Sequence, residues 1–140
     1  MNLLSNDKIL KLFHFGRFDI AILFSTFGVI TSPVYCTKIA SKIARTYTDR
    51  HGLKNLLSEI LDVDISKQQQ SSDWGAKHLS KAQIEYAATD VLYLHALREK
   101  LNEMLTRENR LELADECFKF LPSRAVLDIK GWNDIDIFEH

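Results

Sequence analysis
The chain has 140 residues, of which 46% are hydrophobic, 26% charged and 10% aromatic, with a formal net charge of −1. That suits one globular domain with a real core; 5 glycines and 2 prolines exclude collagen-like or linker sequence, and the hydrophobicity excludes a disordered tail. The near-neutral total carries no global signature for nucleic acid, although site carboxylates can mask a local basic surface. The most apolar stretch, 20–30, is broken by Ser25 and Thr26 and bounded by Asp19, short of the ~18 residues a membrane span needs. Residues 1–7 hold no basic region followed by an apolar one, so the expectation is a cytoplasmic protein without a membrane partner. Cys36 and Cys117 lie far apart with no Cys-x-x-Cys and are expected to be reduced and buried.

Residues 9–14 form a short, mostly apolar run with Leu10, Leu12 and His14 on one face, which predicts a buried strand. Phe15-Gly16 turns into a helix over 17–27, apolar nearly all round as a core helix is, ending near Gly28. Residues 29–36 are β-branched enough for a second strand, with Pro33 tolerated toward its start. Over 37–47, Ile39, Ile43 and Tyr47 recur at helical spacing while Lys38, Lys42 and Arg45 line the other side, predicting an amphipathic helix with a basic face. That face fits phosphate contact, and a plain solvated surface fits it equally well. A helix over 53–61 follows, then a long polar loop over 62–75.

Ser80-Lys81-Ala82-Gln83 is a capping box, with Leu79 and Ile84 placed as its hydrophobic staple, so a helix is expected to begin at about Ser80. Its apolar stripe runs through Ile84, Ala87, Val91, Leu94, Leu101 and Leu105. A last helix is expected over 110–120, ending before Pro122, and the tail over 127–140 is acidic and mixed. Asp62 and Asp64, like Asp134 and Asp136, read as solvated loop acids.

Carboxylates set among apolar residues demand a partner, a donor or a metal. Asp19 lies in the first apolar helix, and Asp90 lies in the long helix among Ala87, Ala88, Val91 and Leu92. Tyr86 precedes Asp90 by one helical turn, a pairing suited to holding a metal and orienting a water. Each of these residues alone also fits a bland role: a helix-dipole acid, a core-edge tyrosine, and for His14 a hydrogen bond at a strand end.

Together the motifs resemble a known family. His14-Phe15-Gly16-Arg17-Phe18-Asp19 is similar to the second exonuclease motif of ribonuclease D and its relatives, the DEDDy group of 3′-5′ exonucleases in the ribonuclease H-like superfamily. Ser71 to Gly75, then Leu79-Ser80, Gln83 and Tyr86-Ala87-Ala88-Thr89-Asp90, is similar to the third, Tyr-x-x-x-Asp motif and its preceding loop. The resemblance implies an α/β fold, RNA as partner, two Mg²⁺ or Mn²⁺ ions as cofactors, Asp19 and Asp90 as metal ligands, and Tyr86 as the residue that positions the attacking water. His14, Lys42, Arg45 and Trp74 are weaker candidates for substrate contact; Trp74 fits a loop anchor or a base stack. Transfer-RNA precursors, other RNAs and DNA all stay open as substrates.

The family's first motif, Asp-x-Glu on an initial strand, does not occur before His14. The expectation is therefore a single, incomplete exonuclease domain over 1–140: a mostly helical, partial ribonuclease H-like fold without the first three antiparallel strands and without a helicase-type C-terminal domain. Such a chain keeps two of four metal ligands and is expected to be inactive alone, and to pair with a missing N-terminal segment or with itself through bared apolar faces at 9–13 and 29–35. The alternative is a non-catalytic RNA-binding or protein-interaction remnant.

Overall fold
The computed structural model describes residues 2–64 and 81–139, with side chains over 4–64 and 92–139. The order is α1 (Asn2–Ser5), β1 (Lys11–Phe13), α2 (Gly16–Phe27), β2 (Val34–Cys36), α3 (Thr37–Ala44), α4 (Leu53–Leu61), α5 (Lys81–Arg107) and α6 (Leu111–Leu127), closed by a π-helical turn over Asp128–Trp132. The two strands pair in parallel, Lys11 opposite Val34 and Phe13 opposite Cys36, with α2 as the crossover.

The strands are shorter than predicted because ladder pairing covers only three residues on each side. α2 ends where glycine does: Gly28 takes a left-handed φ of 68° and donates its N–H to the Phe24 carbonyl. α4 keeps its predicted bounds, whereas α3 stops three residues early, at Ala44. α5 is a helix from Lys81; the capping box at Ser80 and the polar loop beyond residue 64 lie outside the described residues.

The core joins Ile20 and Ala21 of α2, the three residues of β2, Leu56 and Leu57 of α4, Leu97, Leu101 and Leu105 of α5, and Phe118, Leu121 and Ala125 of α6. Gly16 permits the closest approach in this packing, since a Cβ there would lie 3.1 Å from Leu121 Cδ2 and 3.3 Å from Phe13 Cβ. Arg17 grips Asp128 with two donors, at 2.6 and 2.7 Å, which ties the first turn of α2 to the end of α6. These bonds hold the Asp128 carboxyl below its ordinary pKa.

Four expectations are corrected. Pro122 does not end the last helix: α6 runs through it to Leu127, because the proline and its neighbours Leu121 and Ala125 are buried and that packing outweighs one lost backbone bond. α2 is not a core helix all round, since only Gly16, Ile20 and Ala21 are buried while Phe18, Ile22 and Phe27 are exposed. Of the apolar faces expected to be bare, Ile9, Leu10 and Ile30 are exposed, but Val34 and Tyr35 are covered, Tyr35 by the Phe118 ring at 4.5 Å. Cys36 is buried as expected, but Cys117 is exposed; both are free thiols. Among the described residues no helix is long and apolar enough to cross a membrane.

Candidate active site
In parallel α/β units, ligands collect outside the carboxyl ends of the strands, where helix N-termini meet them. Here the carboxyl end of β1 passes through His14 and Phe15 into α2, and that of β2 passes directly into Thr37 and Lys38 of α3. Three bonds lock the two ends together: His14 Nδ1 lies 2.9 Å from Thr37 Oγ1, the Thr37 hydroxyl donates to the Phe13 carbonyl, and the Cys36 thiol donates to the His14 carbonyl at 3.1 Å. Asp19, in the first turn of α2, projects from this junction and is exposed.

Partial burial pushes the Asp19 carboxyl above its ordinary pKa, and among the described residues no cation or donor reaches it to offset that cost. A carboxylate so placed fits a divalent cation. Among the described residues no three His, Cys, Asp or Glu side chains cluster as a metal cage. Tyr86 and Asp90 lie in α5, which carries the two positions one turn apart; their side chains are outside the described set, as is Trp74.

His14 is the strand-end hydrogen-bonding residue of the bland reading. Burial first, and the nearby Lys38 ammonium second, lower its pKa to about 4, against an opposing backbone hydrogen bond at His51. The folded chain therefore holds His14 neutral where the unfolded chain, at its ordinary 6.5, takes a proton. Stability contributed by this residue is complete above about pH 6.5 and is lost as pH falls toward about 4. Urea midpoints measured across that window are expected to fall for the parent chain and to fall distinctly less for His14→Gln; parallel curves would contradict this.

The basic row on α3 is corrected. Lys42 is exposed, but Arg45 is only 2% exposed and is an interior residue, pairing with Glu59 at 2.9 Å and donating to Ser41 Oγ and the Arg50 carbonyl. α3 ends at Ala44, so Arg45 leaves the helical row and turns inward beneath α4. Lys38 sits with its Nζ 4.4 Å above the Phe15 ring centroid. The apolar pattern of α2 counts Phe18 as core, yet Phe18 and the turn residue Phe15 are both exposed.

A family model described as 3′-5′ exonuclease matches residues 1–106, spanning both motifs. The chain belongs to the 3′-5′ exonuclease family. Within this family it is 40% identical over 114 residues to ribonuclease D of Acidiphilium cryptum, covering 81% of this chain and 29% of that relative. It also matches a solved nuclease in its apo form, at 65% identity and TM-score 0.93, and Brucella melitensis NrnC, at 61% identity and TM-score 0.91; each covers 99% of this chain, which spans 67% and 68% of theirs. NrnC has been solved with bound Mg²⁺ and bound to pGG. The chain thus spans under a third of that curated ribonuclease D and about two thirds of these solved nucleases.

Proposed function
We propose that this chain is the helical part of a ribonuclease D-like 3′-5′ exonuclease domain that acts on RNA 3′ ends by metal-assisted phosphodiester hydrolysis. The observation that carries this is Asp19: a family-motif acid at the carboxyl end of a parallel strand pair, exposed and without a cation partner among the described residues. Asp19 and Asp90 would hold divalent metal, and Tyr86, one turn before Asp90, would orient the attacking water. Divalent metal, when bound, would activate a water and stabilise the leaving 3′ oxygen. The Mg²⁺-bound and pGG-bound states of NrnC support both the cation and a nucleotide ligand.

No Asp-x-Glu occurs anywhere in the sequence, so the remaining two acids come from another segment and the chain is inactive without it. The test is a fusion that places the part of NrnC not matched by this chain ahead of residue 1. Mg²⁺-dependent shortening of an RNA from its 3′ end is expected, and Asp19→Asn or Asp90→Asn should abolish it. A folded fusion that binds Mg²⁺ yet leaves RNA intact would favour the non-catalytic RNA-binding reading.

A further inference from the structure
We propose that Phe15, Phe18 and Lys38 form a platform that stacks the bases and grips the backbone of a single-stranded nucleic acid beside Asp19. It rests on the nuclease reading above and adds the residues that hold the substrate.

Phe15 is 47% exposed and Phe18 56%, with ring centroids 6.0 Å apart and planes tilted by 43°. Neither belongs to the core cluster, so the packing of the fold does not account for two large rings side by side in water. Asp19 follows Phe18 directly in the first turn of α2 and donates its backbone N–H to the Phe15 carbonyl at 3.4 Å, so both rings and the proposed metal ligand share one end of the helix.

Charge selects the partner. The Lys38 ammonium lies over the Phe15 ring rather than against a carboxylate, and among the described residues it has no ion pair; Lys42, exposed, stands one turn further along α3. Aromatic faces interleaved with ammonium groups match a strand of alternating bases and phosphates. The ring geometry selects its form. Two faces 6.0 Å apart and inclined at 43° cannot receive neighbouring bases at duplex stacking distance, but they can receive splayed, unstacked bases. No base-edge donor or acceptor is required, so the platform is tolerant of sequence.

The test is fluorescence anisotropy of a 5′-labelled single-stranded RNA with the 140-residue chain in EDTA, which keeps metal out of the measurement. Phe15→Ala and Phe18→Ala are each expected to weaken binding about 5-fold or more, with unchanged salt dependence, while Phe15→Trp retains affinity. Lys38→Met is expected to weaken binding and to reduce the salt slope by about 0.7. An RNA with abasic 3′-terminal positions should bind the parent chain as weakly as intact RNA binds the alanine variants, a comparison that needs no mutant to fold. Tight binding insensitive to both phenylalanines overturns the platform alone. Absence of any binding by the parent chain overturns the platform, whereas the nuclease reading stands or falls with the fusion. A dimer in sedimentation that Phe15→Ala and Phe18→Ala dissolve would assign this face to a second copy instead and overturn the platform.

Discussion

Incubated with Mg²⁺ and a 5′-labelled RNA, the 140-residue chain alone is expected to leave the RNA at full length. The reason is a ligand count. Mg²⁺ insists on near-octahedral oxygen coordination and dehydrates reluctantly, so it is held only where enough carboxylates already stand in place. On the proposed reading Asp19 and Asp90 are half of the acid set the family resemblance implies, and the described residues hold no group of three or more His, Cys, Asp or Glu side chains to replace the rest. Lewis-acid stabilisation by a bound ion is worth several kcal/mol, and each 1.36 kcal/mol is tenfold in rate. Losing one ion therefore costs on the order of a thousandfold or more, which removes visible turnover. Gel-resolved shortening over hours checks this. Progressive Mg²⁺-dependent trimming that Asp19→Asn abolishes would show instead that other acids of the chain, such as the exposed Asp62 and Asp64, complete the site.

Replacing Glu59 by alanine is expected to destabilise the chain by about 3 kcal/mol. Arg45 is 2% exposed, so its guanidinium has left water and depends on what surrounds it. Ser41 Oγ and the Arg50 carbonyl accept from it, but Glu59 is its carboxylate partner. Truncating Glu59 leaves a buried cation without a counter-charge, the costly half of a buried ion pair. Two features place the value at the lower end of the usual range: Glu59 is itself one-third exposed, and the two neutral acceptors remain. Arg50, which reaches Glu59 at 3.6 Å from an exposed position, adds little. Urea unfolding should show a lower midpoint with an unchanged slope, and the thermal midpoint should fall by on the order of 10 °C. A change below about 1 kcal/mol would mean that water enters and solvates Arg45.

Much of the local architecture was legible in the residues. α4 keeps its predicted bounds, and α2 ends at the glycine that periodicity marked, because caps and breaks are written in one or two residues and need no distant partner. His14 as a hydrogen-bonded strand-end residue was equally readable. The last helix departs from the local breaker rule at Pro122, where tertiary packing decides: the proline costs one backbone bond, and burial of Leu121, Pro122 and Ala125 on one face outweighs it.

At the site, the roles expected of the acids and the tyrosine come from the family resemblance, and family membership follows from a family match over residues 1–106. Spacing could not say which face of α2 is covered. Phe18 looks like a core residue in a linear pattern, and it stands exposed, as does Phe15 before it, because the core gathers on the Ile20–Ala21 side. Arg45 is the converse case, a member of a basic row in the sequence that turns inward once α3 ends and α4 supplies Glu59.

From the residues alone come the exonuclease motifs, the helical periods and their caps, since each depends on chemistry within a few positions of itself. Which aromatic rings meet water and which arginine is sealed in the interior depend on elements far apart in the chain. Those were settled by packing, because burial is a property of neighbours that a single segment does not contain.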